Sequence, residues 1–310
     1  MIRGKSPSLL EVTNAARVVA ATGVNTILHG ETGTGRELLA RFIHAHSARY
    51  KQPFVSVNCA AIPEDQVESL LFGFAKDEAV EEHRGYLESA TDGTLYLSEV
   101  ERLPLEVQDK LLRFLKSGEL FPTGSPKPIK LDVRLVVASK ADLGVEVEQG
   151  RFRQDLYYHL NVVPLNVPPL RERQGDVPIL LGHFVSLFAA RHGSRSPNFS
   201  KSALAVLKSY SWPGNVRELR NLCERLVILL PGQEVGIQNL PQEFRVKAVA
   251  EDVSDMVVKL PPEGISLAGV EESLIRQALE LAKGNQSKAA RLLGISRDTL
   301  LYRLKKFAIT

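Results

Sequence analysis

The chain has 310 residues, 44% hydrophobic, 6% aromatic and 24% charged, enough for roughly two domains with their own cores. No apolar run approaches the ~18 residues of a membrane span. Glu11, Asn14 and Arg17 interrupt what a signal peptide keeps apolar, and Cys59 and Cys223, the two cysteines, can build neither a disulfide framework nor a four-ligand zinc site, so a cytoplasmic chain without membrane contact or structural metal is expected.

In chain order, NTILHG (Asn25–Gly30) reads as an apolar strand, followed by a glycine-rich turn and an amphipathic helix over Glu37–Tyr50. Phe54–Asn58, Thr94–Val100 and Val133–Ser139 read as further strands, with a helix over Leu105–Gly118. Four apolar strands alternating with helices predict an α/β body whose parallel sheet is covered on both faces. After the proline-rich Val167–Arg173 the strands are expected to stop, and three or four helices to form a helical subdomain. Irregular text from Arg245 to Gly264 predicts a linker, and two helical segments close the chain. The boundaries read from this are an α/β subdomain over 1–172, a helical lid over 173–242, a linker over 243–265 and a DNA-binding domain over 266–310.

The turn after the first strand is Gly30-Glu31-Thr32-Gly33-Thr34-Gly35-Arg36-Glu37. Its spacing, four residues between glycines and then a cation, is that of a loop whose amides turn inward around phosphates at a helix N-terminus. Arg36 takes the place of the usual lysine and Glu37 that of the Ser/Thr magnesium ligand.

GETGTGRELLARFIH, FVSVNCAAIPED, VESLLFG, DGTLYLSEV, QDKLLRFLKSGE, DVRLVVAS, GRFRQDLYYHLNVVPLNVPPLRER and WPGNVRELRN follow in that order. Together these blocks resemble the AAA+ domain of bacterial enhancer-binding proteins, the activators of sigma-54 RNA polymerase, over about residues 5–240, and the tail resembles their Fis-type helix-turn-helix. The resemblance implies a doubly wound P-loop AAA+ sheet with a helical lid, then an all-α helix-turn-helix domain; ATP or ADP as ligand; and a hexamer-forming ATPase whose subunits share active sites. It also assigns roles. Glu99 matches the water-polarising glutamate, Arg153 a trans-acting arginine finger and Arg217 the lid arginine that senses the γ-phosphate.

Several positions depart from the family. The magnesium aspartate is Ser98, the usual asparagine after the fourth strand is Lys140, and the second arginine finger is His159. A neutral hydroxyl is a poor magnesium ligand, and one arginine finger is worth ~10³–10⁵ in rate. Weak magnesium binding and poor hydrolysis are therefore expected, with nucleotide binding kept by the loop amides and Arg36. The GAFTGA loop that contacts sigma-54 is missing as well. After Leu71-Phe72-Gly73 stands a shorter, acidic, helix-prone stretch, Phe74–Tyr86.

Residues 266–310 carry eight Lys/Arg against four Asp/Glu, a net +4 that leaves −1 for the rest of the chain; this assigns an anionic partner to the tail. Leu267, Val270, Leu274, Ala278 and Leu281 form one apolar stripe. Beyond it, Ala289 and Ala290 allow a close helix crossing, Gly294 a left-handed turn, Ile295 a plug and Ser296 an N-cap, with Leu300, Leu304 and Phe307 as the buried face of the last helix. Arg297, Thr299, Tyr302, Arg303 and Lys306 are expected to face outward, toward bases and phosphates in a major groove, with Lys288 and Lys305 on phosphates. Resemblance to Fis-type domains implies dimerisation through the helix at Leu267–Lys283 and a near-palindromic double-stranded DNA site.

The preferred reading is a DNA-binding transcriptional regulator with a degenerate AAA+ body, an assembly platform that acts on an RNA polymerase holoenzyme or on an active relative. A working ATP-hydrolysing activator of sigma-54 polymerase, and an interaction protein that binds neither nucleotide nor specific DNA, remain open alternatives. Since the chain begins almost at the AAA+ boundary, control is expected from a separate protein or from abundance.

Overall fold

Ser6 accepts a hydrogen bond from the Leu9 amide, Pro7 occupies the first turn and Gly23 ends the helix at φ +67°, giving α1, Pro7–Thr22. These signals lie in the sequence, yet the periodicity reading passed over them. The computed structural model in which this is seen describes residues 2–74, 84–125, 127–244, 266–282 and 284–307. The acidic stretch after Phe74 and the linker expected at 245–264 lie mainly outside the described residues. By its contacts the chain divides into two compact units, 1–248 and 249–310.

In the first unit β1 (Thr26–His29), α2 (Arg36–Ala45), β2 (Phe54–Asn58), α3 (Glu64–Phe72), α4 (Tyr86–Ser89), β3 (Thr94–Ser98) and α5 (Leu105–Ser117) follow one another. A short antiparallel pair comes next, β4 (Glu119–Leu120) with β5 (Ile129–Lys130), then β6 (Arg134–Ser139), α6 (Leu143–Glu148), α7 (Gln154–Leu160) and β7 (Pro164–Asn166). The main sheet is parallel, in the order β2-β3-β6-β1-β7. It has five strands where four were expected. The fifth, β7, is three residues long and begins at Pro164, which an edge strand tolerates because no ladder amide is needed there. The first helix of the P-loop unit also ends earlier than expected, at Ala45 rather than Tyr50.

Alternation buries both faces. Ile27, Leu95, Leu97 and Val137 pack with Leu71, Leu111 and Leu156 on one side, and Leu28, Tyr96, Val136 and Ala138 with Leu9, Ala16, Leu39 and Ile43 on the other. Arg134, a charge within β6, is reconciled with burial by donating to the carbonyls of Val19 (2.8 Å), Ala20 (3.1 Å) and Val24 (3.2 Å), where α1 runs out of internal partners.

The lid comprises α8 (Asp176–His192), α9 (Lys201–Ser209) and α10 (Asn215–Leu229) around fully buried Trp212. Strand pairing does not stop at the proline-rich segment: β8 (Asn198–Phe199) pairs in parallel with β9 (Glu234–Val235), a contact too short to leave any periodicity in the sequence.

The described residues of the second unit form three helices, α11 (Leu267–Leu281), α12 (Gln286–Leu292) and α13 (Arg297–Lys306). Ala289 and Ala290 are buried at the crossing, Gly294 adopts φ +66°, and Ser296 caps α13 through the Thr299 amide. Leu300 and Leu304 are buried, with half-buried Phe307 beside them. The apolar stripe of α11 divides differently from the expectation. Ile275, Ala278 and Ala282 face the unit's own core, while Leu267, Leu274 and Leu281, seven residues apart, are exposed (82%, 47% and 73%). Among the described residues no helix is long and apolar enough to cross a membrane.

Candidate functional site: a phosphate loop at the strand ends

Register places the site. Asn58 pairs with Ser98, Ser98 with Ala138, and Ser139 with His29, so the carboxyl ends of β2, β3, β6 and β1 stand in a row, where open parallel sheets bind ligands. Gly30 follows His29, Glu99 follows Ser98 and Lys140 follows Ser139. By this register Lys140 lies between Glu99 and the start of the loop.

The loop is held by its own backbone and by the lid. The Thr34 hydroxyl donates to the Glu31 carbonyl (2.8 Å), and Gly35 stands before α2 at φ +104°. Gly33, at φ +83°, has no room for a side chain, since a Cβ would come within 2.3 Å of the Gly214 carbonyl. The Val216 amide donates to the Gly33 carbonyl (3.0 Å). The Asn215 amide group donates to the Thr32 carbonyl (3.1 Å) and the Glu31 carboxylate (3.0 Å), while its oxygen accepts from the Leu170 amide (2.7 Å). Arg171 grips Glu31 with both arms, at 2.6 and 2.9 Å. The Arg171 guanidinium, and after it the Asn215 amide, hold the Glu31 carboxyl below its ordinary range.

Arg36 is more than nine-tenths buried, and its Nη1 has no hydrogen-bond partner. A buried guanidinium donor left unpaired is costly, and at the foot of a glycine loop it fits an anion. Arg217, exposed at the first turn of α10, has its Cβ about 3.1 Å from where a Gly33 side chain would start. Beyond Thr34 and Gly35 opens an apolar cavity of about 240 Å³, lined among others by Leu9, Val12, Leu180, His183 and Phe184. Sequence reading missed these residues and Asn215, Arg171 and Glu101. Asn215 stands within the quoted WPGNVRELRN block, but its three contacts are long-range.

At the strand ends the Lys140 ammonium lies 2.9 Å from Glu99 Oε2. Glu99 is itself in the left-handed region at φ +55°, an uncommon conformation that strain often brings to functional positions. The Ser98 hydroxyl donates weakly to the Val57 carbonyl (3.4 Å). Glu37 is exposed and ion-paired with Arg41 along α2 at 2.8 Å. Both carboxylate oxygens of Glu101 are buried without a hydrogen-bond partner. Burial first, and then the Glu101 charge, push the Cys59 thiol up to about 12.

Arg153 and His159 are not at this cluster. Arg153 stands at the N-cap position of α7, its side chain pairing instead with Asp155 (2.8 Å) and Asp109 (3.3 Å); His159 is half-buried in the last turn of the same helix. On the second unit Lys288, Arg297, Tyr302, Lys305 and Lys306 are exposed. Arg303 corrects the outward reading, because its guanidinium is ion-paired with Glu271 of α11. Thr299 is half-buried, its hydroxyl 2.7 Å from that of Ser296.

A parallel sheet with a phosphate loop at its carboxyl end, an α-helical lid touching that loop, and a separate helix-turn-helix define an AAA+ regulator. Residues 2–166 match the sigma-54 interaction domain, 171–256 the AAA+ ATPase lid domain and 266–307 the bacterial regulatory protein, Fis family. The chain belongs to the sigma-54-dependent enhancer-binding proteins. It is 43% identical over 313 residues to the phenol regulator MopR of Acinetobacter guillouiae, covering 99% of this chain and 56% of that protein. It is 41% identical over 310 residues to the transcriptional regulatory protein ZraR of Escherichia coli K12, covering 98% and 68%. A crystal structure of NtrX from Brucella abortus in complex with ATP aligns with a TM-score of 0.74 at 34% identity, over 99% of this chain and 69% of that one. The chain thus spans between about half and two thirds of these relatives.

Proposed function

We propose that this chain is a DNA-binding transcriptional regulator whose AAA+ body binds ATP or ADP, hydrolyses it poorly, and lacks the loop that contacts sigma-54. The observation that carries the reading is the Lys140–Glu99 ion pair beside Ser98. The carboxylate matched to water polarisation is engaged by an ammonium, and the position matched to the metal aspartate is a neutral hydroxyl. The phosphates would lie on the Gly30–Glu37 amides and Arg36, with the base in the apolar cavity next to Thr34 and Gly35. Arg217 would sense the terminal phosphate from the lid, and Arg153 would serve a neighbouring subunit. NtrX, solved with ATP, supports the nucleotide assignment.

The parts follow as a body over 1–172 and 173–242, a linker over 243–265 and a DNA-binding domain over 266–310. The exposed Leu267, Leu274 and Leu281 would pair two tails, which suits a near-palindromic site, while the body supports higher assembly and contact with a polymerase. Purified chain should bind ATP, shift tail-dependent DNA complexes at moderate salt, and release phosphate at least ~10³-fold more slowly than hydrolysing relatives. Brisk phosphate release abolished by Glu99→Gln would establish the alternative, a working sigma-54 activator.

A further inference from the structure

The donor set at the strand ends does not fit the magnesium ion that accompanies nucleotide in this family. Ser98 offers a neutral oxygen already turned to the Val57 carbonyl. Glu99 is taken by Lys140 and Glu37 by Arg41. Among the described residues no group of three or more His, Cys, Asp or Glu is placed to hold a metal. Glu101 keeps both carboxylate oxygens buried and unpartnered, and its charge is felt both at Cys59 beyond β2 and at His29 at the end of β1, which makes it the alternative donor that Glu101→Gln separates.

What the row does offer is positive charge. Lys140 stands by register between Glu99 and Gly30. Its ammonium has three donors, of which one meets Glu99, leaving two for phosphate oxygens. Arg36 adds a buried, unpartnered guanidinium nitrogen. Relative to the family pattern, serine for aspartate removes a negative charge and lysine for asparagine adds a positive one. Together they shift the site by the formal charge of one magnesium ion.

Resting on the nucleotide-binding reading above, we infer that this chain holds ATP without a divalent metal, the Lys140 ammonium serving as a built-in cation. The same ammonium keeps Glu99 from orienting water, so one residue accounts for retained binding and lost turnover.

Equilibrium binding of ATP to the purified full chain, in EDTA and in millimolar magnesium, tests this without any substitution. Affinity should differ by less than about threefold between the two conditions. Lys140→Gln should lose about tenfold in EDTA, and Ser98→Asp with Lys140→Asn should gain a magnesium dependence of about tenfold or more, both melting like the parent. Wild-type affinity that falls tenfold or more in EDTA overturns the inference while leaving nucleotide binding intact, and loss of that dependence in Glu101→Gln would place the metal on Glu101 instead. No ATP binding in either condition removes the functional reading along with the inference.

Discussion

Asn215 concentrates more of the site into one side chain than any residue singled out from the sequence. It is fully buried, its backbone is left-handed at φ +52°, and its amide joins three segments: the loop at Glu31 and Thr32, the proline-rich connection at Leu170 and the start of α10. Asparagine tolerates that backbone better than most residues, and its amide both donates and accepts. Replacing it by glycine keeps the conformation and removes all three bonds, leaving the Leu170 amide and the Thr32 carbonyl without their partners. Asn215→Gly should cost about 2–4 kcal/mol in urea unfolding and weaken ATP binding beyond that of a control such as Lys201→Ala on the lid surface. Unchanged unfolding and affinity would mean that lid and loop are joined by other contacts.

Between elements, the pairing of Arg303 with Glu271 ties α13 to α11. Both side chains are partly exposed (37% and 26%), so the pair contributes at most about 1 kcal/mol. What it changes is availability for DNA. Each phosphate neutralised contributes about −0.9 to the slope of log affinity against log salt. Arg297→Gln, at an exposed position without an ion pair among the described residues, should flatten that slope by about one per tail, whereas Arg303→Gln should flatten it less, and Glu271→Gln should raise affinity by freeing the guanidinium. Equal slope changes for the two arginines, measured by anisotropy titration of the full chain, would show that the pair opens on DNA. The case also marks how far sequence could reach. Glycine spacing, caps and the Leu300–Leu304 face are local signals, and they announced the phosphate loop and the helix-turn-helix. Arg303 sat on the right helix with the right charge, but its partner lies 32 residues earlier on another element. Asn215 and Arg171 reach Glu31 across separations of 184 and 140 residues, and no periodicity records such pairings. Strands β7, β8 and β9 were silent because two or three residues cannot display an alternation.

On the scale of the whole first unit, charge and burial also set how the fold responds to acid. His29 at the end of β1, His44 in α2 and His183 in α8 all have pKa values lowered from 6.5, in each case chiefly by burial. Further lowering comes from Arg36 at His29, from Arg134 and Arg41 at His44 and from Arg3 at His183, while Asp142 and Glu101 partly oppose it at His29. His44 is the most constrained, its Nδ1 3.0 Å from the Thr94 hydroxyl in the core between α2 and the sheet. Each ring takes up a proton less readily in the folded chain than in the unfolded one. Above pH 6.5 neither state is protonated and the contribution of the three is complete; as pH falls below 6.5 the unfolded state binds protons first, and stability declines through the lowered folded values. The carboxylates held low by arginines, Glu31, Glu146 and Asp155, act in a separate window that opens near 4.5, so the two effects separate on the pH axis. The urea midpoint should therefore be level from about pH 8 to 7 and fall steadily from about 6.5 to 5, with a shallower fall in His44→Gln, which removes one of the three titrating rings. A midpoint that stays level to pH 5, or a His44→Gln variant with the parent's slope, would mean that these rings are solvated well enough to protonate in place.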